Sequence, residues 1–516
     1  MKIHAFIAVV LSASTLCADG WPMRSHDERR TGRATVNGTR SVGKVWKYIA
    51  NDGNSINIEA AVTNKAVYFG TWGLVRKDGP SKSQWNKFDG KIYGLNPMTG
   101  AELWNPLMPA VTPWAYKYDD RRPTSQDRPA GKGMHWNFYN GTIEGTPAID
   151  PKTGTAYVGR GDGKLFAVNP ATGTLMWTFV TLDPHRPNDP EGGGEIVGGP
   201  LVTDDGVIAF ATFAAPHRPG PTRIRHETNA VYAVNRHGKM IWRFPQTGTL
   251  PAVFIAPPAL SVDGKRLYAM TALPYKTLPC EVLAIDLASG KLLWRLETKK
   301  LGAQDLAVGI DGVIYAGGMD TKNRPVAFAI SDHGNRGRIK WGPHAIDGVR
   351  PRTHFVGGVA LYEKNGHVQD VYMSTSLVRN FNGIGGKLHR LAPDTGKSTA
   401  IWNPENANPR CVGALSDVSL DNEGVVYVGV RGQWKQLLKK EVQGRMYCLR
   451  RNGSTFKVLW SHQVDDQIDW ASPAIGPNGG VYFGSTSPIK PLVHAKPRGQ
   501  KEDVKDADPV FYGVHD

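Results

Sequence analysis

The sequence predicts an all-β fold, an eight-bladed β-propeller of four-stranded antiparallel blades, with the ring closed by an N-terminal outer strand in the last blade. Three observations carry this expectation. A hairpin phrase closed by Trp recurs through the chain, a second hairpin with small residues in its first strand follows, and helical periodicity is nearly absent. Two hairpins per repeat make a four-stranded unit, and a ring of such units is a propeller.

Taken in chain order, Lys2, the apolar run Ala5 to Leu11 and Leu16-Cys17-Ala18 have the layout of a secretory signal over residues 1–18. The run is short of the roughly 20 residues that span a bilayer. The expectation is a secreted or periplasmic protein with no transmembrane segment, residues 19–516 forming one propeller and the chain a monomer. Leu16 stands where a lipoprotein signal has a small residue, which argues against a lipid on Cys17. Cys280, Cys411 and Cys448 then remain, an odd number that excludes a fully paired disulfide framework. The Asn-Gly pairs at Asn37, Asn140 and Asn452 fit glycosylation sequons and, equally, tight turns.

The repeat begins with Gly90-Lys-Ile-Tyr-Gly-Leu-Asn-Pro-Met-Thr-Gly-Ala-Glu-Leu-Trp104 and returns as Gly163 to Trp177, Ala230 to Trp242 and Glu281 to Trp294. Weaker copies end at Trp341, Trp402 and Trp460. The second hairpin is clearest in Thr146 to Gly159 and Ser472 to Gly484. Val42-Gly-Lys-Val-Trp46 is an outer strand with no inner strands before it, and Pro509 to Asp516 is a third strand with no fourth after it. The two fragments complete one blade, which removes an open sheet edge. A short stretch from Gln433 to Val442 is the best helix candidate.

Composition narrows the function classes. With 516 residues, 40% hydrophobic and 21% charged, the chain is neither disordered nor collagen-like. Lys and Arg number 62 against 46 Asp and Glu, a net charge of +16. Such a surface favours acidic partners. Outside the cytoplasm these are an anionic glycan, a small-molecule ligand or a protein rather than nucleic acid.

The repeat resembles the pyrroloquinoline quinone (PQQ) type of propeller repeat over nearly the whole mature chain, and Trp21-Pro-Met-Arg-Ser-His-Asp-Glu-Arg-Arg-Thr-Gly32 looks like the opening of many secreted members. That family includes quinoprotein alcohol dehydrogenases and the propeller lipoprotein of outer-membrane barrel assembly. The resemblance implies the architecture firmly and the activity poorly. Its dehydrogenases use PQQ with calcium or a lanthanide and a carboxylate base, and many carry two adjacent cysteines, which this chain lacks. Glu144, Asp417 and Asp469 are the possible metal ligands.

Candidate site residues come from the loops entering the inner strands and from those joining second to third strands. Glu144 is an acid where the aligned copies have Val197, Ile255, Val356, Ala414 and Trp470. It is the candidate base, or a metal ligand with Asp469, and His135 and His354 are the candidate catalytic partners. Trp136, Arg223, Arg225, Arg352 and Trp470 are candidate ligand-binding residues, because Arg with aromatics holds an anion while stacking on an apolar face. The same types are also common on solvated loops, and the repeat-end Trp residues are read as inter-blade packing. Three functions stay open: a binding platform for an anionic partner, a PQQ- and calcium-dependent alcohol or sugar dehydrogenase, and a cofactor-free enzyme such as a polysaccharide lyase.

Overall fold

The computed structural model describes residues 20–50, 56, 58–71, 90–107, 143, 145–182, 194, 196, 198–212, 229–248, 250, 253–254, 257–272, 281–298, 302–320, 324–346, 354–379, 382–407, 415–432, 434–435, 440–441, 444–465, 468, 472–485 and 510–516. The fold is the expected eight-bladed propeller. Blade 2 is typical: its antiparallel strands Ala148–Ile149, Ala156–Gly159, Lys164–Val168 and Leu175–Val180 run in order from the axis outward. The inner three strands are buried on both faces, while every residue of the outer strand is exposed or half-buried. In blade 1 the outer strand is reduced to two bridges, Ile92 with Leu107 and Leu95 with Glu102. The stretch read as a helix candidate instead carries a strand pair, Trp434–Lys435 with Lys440–Glu441. Trp434 pairs with Glu441 and Lys435 with Lys440, and this strand ladder outweighs helix propensity there.

Closure follows the sequence reading. Lys44–Ile49 pairs antiparallel with Val510–His515, with Trp46 opposite Gly513, and completes blade 8 outside Ala474–Ile475 and Val481–Gly484. Asp516 ties the two chain fragments together at the turn where they would otherwise be joined. Its Oδ1 accepts from Thr39 Oγ1 at 2.6 Å and from the Ser41 N–H at 2.9 Å.

Trp46, Trp104, Trp177, Trp242 and Trp341 each lie on the outer turn of the following blade. Trp177 Nε1 donates to Arg236 O, Trp242 to Leu287 O and Trp341 to Pro393 O, at 2.7–2.8 Å. The glycine of that turn receives the indole face. At Gly290 φ is +70°, and a Cβ would stand 2.6 Å from the Trp242 ring. The repeat therefore needs Gly and Trp together, and the cores form between blades rather than within them. The register slips one residue before this Trp in blades 2 to 5 and 7, and at Thr399, three residues before Trp402, in blade 6, so a β-bulge recurs at the start of the outer strand.

The segment from Trp21 to Thr39 makes one circuit of the ring. Trp21 N bonds Val62 O in blade 1, and the Ile149 N–H of blade 2 donates to Pro22 O. Met23 packs with Leu201 and Val202 of blade 3. The N–H groups of Leu260, Val308, Leu361 and Leu420, in blades 4 to 7, donate to Glu28, Arg29, Thr31 and Gly32 carbonyls. Thr39 N reaches Gly479 O in blade 8. In blades 1, 2 and 4 to 7 the partner lies at or near the end of the inner strand, so this strap spans the ring at the end opposite the loops that enter those strands.

Gly290→Ala should destabilise the protein by about 1–3 kcal/mol more than Gly264→Ala. Both positions have positive φ, +70° and +69°, but a Cβ at Gly264 meets nothing within 4 Å. Urea unfolding of the pair checks this; equal losses would mean that indole docking contributes nothing beyond backbone strain.

Candidate functional site

Counting back three residues from the strap-bonded end of each inner strand gives one equivalent position per blade. In blades 1 to 8 it holds Glu59, Thr146, Gly199, Pro257, Asp305, Gly358, Asp417 and Ser472. Period-two alternation turns this position to the opposite face from the buried residues at the strand end. Three carboxylates from three separate blades thereby meet the strap.

Arg24 is the centre of that meeting. Its Nη2 lies 3.1 Å from Asp417 Oδ2 and 3.7 Å from Asp305 Oδ2. Gly358 stands between the two acids. A Cβ there would lie 2.9 Å from Asp305 Oδ2 and 3.0 Å from Asp417 Cγ, and the Gly358 N–H donates to Asp417 Oδ1. Only a residue without a side chain lets blades 5 and 7 bring their carboxylates so close across blade 6. In blade 1, Glu59 Oε1 accepts from the Ser25 N–H at 2.9 Å and from the Trp21 indole N–H. Arg30, wholly buried, donates to the carbonyls of Pro258 at 3.2 Å and Arg24 at 2.7 Å. Arg29 makes a two-pronged bond to Glu363, both contacts at 2.9 Å.

Burial sets the proton affinities. It pushes the Glu59 carboxyl up to about 8, outweighing the attraction of Arg24 and the hydrogen bond from Trp21. Burial likewise raises Asp305 to about 6 against the pull of Arg24. Asp27 moves the other way, to about 2: burial opposes the shift, but the neighbouring His26 and Arg29 side chains and the hydrogen bond from the Thr31 N–H outweigh it. At neutral pH the cluster is thus a protonated Glu59 beside an Asp305–Arg24–Asp417 ion group. It fixes the strap.

Glu144, His135, Trp136, Arg223, Arg225, Arg352, Asp469 and Trp470 lie outside the described residues. Of His354 only the backbone is described, as the first residue of the inner strand of blade 6, opposite Leu377. Asp417, read as a possible metal ligand, is charge-compensated by Arg24 instead. The guanidinium already occupies the place of a cation between Asp305 and Asp417, so these residues do not fit calcium on a quinone. Among the described residues, no group of three or more His, Cys, Asp or Glu is arranged to hold a metal. Sequence reasoning missed Glu59, Asp305, Arg24 and Arg30. Aligning the inner strands from their ends, rather than from Thr146-Pro147, would have put the three acids in one column.

A family model described as outer membrane protein assembly factor BamB matches residues 136–215 and 227–489, about two-thirds of the chain. No curated protein matches in sequence. Among solved structures, the quinohemoprotein alcohol dehydrogenase from Comamonas testosteroni is 14% identical, with a TM-score of 0.57, over 96% of this chain and 80% of that one. A europium-containing methanol dehydrogenase is 13% identical, with a TM-score of 0.54, over 91% of this chain and 89% of that one. At these identities the likeness is one of fold.

Glu59 and Asp305 have raised folded values, so the folded state keeps protons that the unfolded chain releases. Their contribution to stability is present below the unfolded values near 4 and falls as pH rises toward 6 for Asp305 and 8 for Glu59. Each group contributes a slope of at most about 1.4 kcal/mol per pH unit. Glu59→Gln should flatten the decline between pH 6 and 8 and raise the melting temperature at pH 8. If the variant follows the parent curve, Glu59 does not titrate in that window.

Proposed function

The chain belongs to the family of the outer membrane protein assembly factor BamB, and from that premise we propose that it is a rigid recognition platform for an anionic partner. The observation that carries this reading is the Arg24–Asp305–Asp417 group. Its charges are compensated within the chain and hold the strap in place, which is the work of a scaffold. The segments entering the inner strands, and those joining second to third strands, begin at the end of the ring opposite the strap. They contain Trp136, Arg223, Arg225, Arg352 and Trp470, residue types that pair guanidinium groups with aromatic faces. With a net charge of +16, an anionic glycan or an acidic protein face is the matching surface. The layout of residues 1–18 places this work in the periplasm or outside the cell.

No helix among the described residues is long and apolar enough to cross a membrane. A platform of this kind needs no catalytic group, and its affinity would come from many weak contacts over several blades.

The platform should be retained on a sulfated-polysaccharide matrix and released by salt. Arg223→Ala, Arg225→Ala and Arg352→Ala combined should elute at clearly lower salt. Titration with PQQ and calcium, followed by Trp fluorescence, should stay flat. Micromolar quenching lost on Glu144→Gln would instead make the chain a quinone-dependent dehydrogenase and sink this reading.

A further inference from the structure

Eight of the fourteen exposed large apolar side chains among the described residues occupy one structural position, the two residues before the blade-closing Trp. They are Leu175 and Met176 in blade 2, Met240 and Ile241 in blade 3, and Leu292 and Leu293 in blade 4, with Leu103 in blade 1 and Ile339 in blade 5. Each of the eight is between 37% and 53% exposed. The bulge explains the geometry. In blade 3, Met240 pairs with Val234 and Trp242 with Ala233, leaving Ile241 as the extra residue; Met176 and Leu293 hold the same place in blades 2 and 4. A bulge re-aims successive side chains, and here both members of each pair reach solvent.

Packing does not demand apolar residues there. Counted from the bulge, the same two positions hold a half-buried Ser398 and an exposed Thr399 in blade 6, and counted from Trp46 they hold Lys44 with a half-buried Val45 in blade 8. In blade 7, Val458 and Leu459 are half-buried against neighbouring cores. The exposed pairs fall on three consecutive blades, so they form one stretch of rim rather than a scatter of single side chains.

Around the apolar positions of blades 3 to 5 the adjoining charge is positive, whereas exposed Glu102 precedes Leu103 in blade 1. Exposed Lys239 and Lys291 immediately precede the pairs of blades 3 and 4, and exposed Arg338 and Lys340 bracket Ile339 in blade 5. Apolar side chains interleaved with Lys and Arg suit the boundary between acyl chains and anionic headgroups. The apolar groups enter the boundary while the ammonium and guanidinium groups meet phosphate. An acidic peptide would supply the charge without the depth that four or more exposed aliphatic chains need. We propose that the outer rim of blades 2 to 5 docks on an anionic lipid surface, a contact separate from the loop-bearing face of the ring.

The test is cosedimentation of the purified protein with vesicles of phosphatidylcholine alone and of equal parts phosphatidylcholine and phosphatidylglycerol. Partitioning to the mixed vesicles should exceed that to the neutral ones by about tenfold or more, at about 1 kcal/mol per basic side chain near the surface. Two variants probe the two halves of the contact: Met240→Ser, Ile241→Ser, Leu292→Ser and Leu293→Ser together, and Lys239→Glu, Lys291→Glu and Arg338→Glu together. Each should lower binding to the mixed vesicles about tenfold or more. The serine variant keeps every charge and should leave the sulfated matrix at unchanged salt, which separates the rim from the loop face. If the serine variant does not fold, the charge reversal decides alone. Equal binding to both vesicle types overturns the proposal, as does a charge-reversed rim that binds like the parent. A parent that self-associates without lipid, and a serine variant that does not, would assign the rim to a second copy of the chain or another protein.

Discussion

Everything in this structure depends on closing a ring from a linear chain. Two ends that are remote in sequence must meet in one sheet, and the Lys44–Ile49 ladder against Val510–His515 does that. A ladder alone would leave the outer turn of blade 8 broken, with no carbonyl for the Trp of blade 7. The strap fills the gap: Trp460 Nε1 donates to Thr39 O at 3.0 Å, as other blades use the turn of their neighbour. Asp516 then binds the Thr39–Ser41 backbone and hydroxyls from the other side. The strap is therefore both the missing turn and the belt that joins every blade at the axis. Each of its backbone bonds is worth only about 1 kcal/mol net, but they act on all blades at once.

The belt brings charge to the axis, and that charge has to be matched. Arg24 and Arg30 are carried inward with the backbone, and an uncompensated guanidinium there is costly. The protein meets the need in two ways. Arg24 takes carboxylates from blades 5 and 7, while the wholly buried Arg30 is held by main-chain oxygens of blade 4 and of the strap itself. Glu59, the third acid at the same repeat position, stays protonated at neutral pH, so its desolvation cost is that of a neutral acid. One repeat position thus holds ionised, neutral and absent side chains around a single ring, as the strap requires at each point.

The fold was legible in the sequence because its determinants are local and repeated. Gly and Trp stand a few residues apart in every copy, and the Tyr of the second strand lies opposite the small residue of the first, as Tyr157 lies opposite Ala148. The axial cluster was not legible, because it is neither. Arg24, Asp305 and Asp417 are each more than a hundred residues apart, and the weaker copies around blades 5 and 7 hide the alignment of their acids. Residues Arg24 to Arg30 contain two acids, three Arg and a His, a run that reads as a solvated surface. Only the ring shows that this run lies at the axis. Glu144 stands out as unique in its column, whereas the column three residues from the strand end, with three acids in eight, forms only when the inner strands are aligned from their ends.

Repetition separates what the fold needs from what this protein adds. Positions at which the copies agree, such as Trp242 and Gly290, are accounted for by docking between blades. Positions at which they diverge without loss of packing carry information about use, and two such sets stand apart in space. The acids of blades 1, 5 and 7 answer to the strap. The apolar pairs of blades 2 to 4 answer to nothing among the described residues. The order of assembly follows from the same contacts. Gly32 needs Leu420 and Thr39 needs Gly479, so the strap is among the first residues made and cannot be seated until the last blades exist. Closure is then a late, non-local step, the kind that slows folding, and the charged strap must stay solvated until that moment. A polar, highly charged sequence at the start of the chain suits that wait better than an apolar one, which would collapse onto the first blades formed.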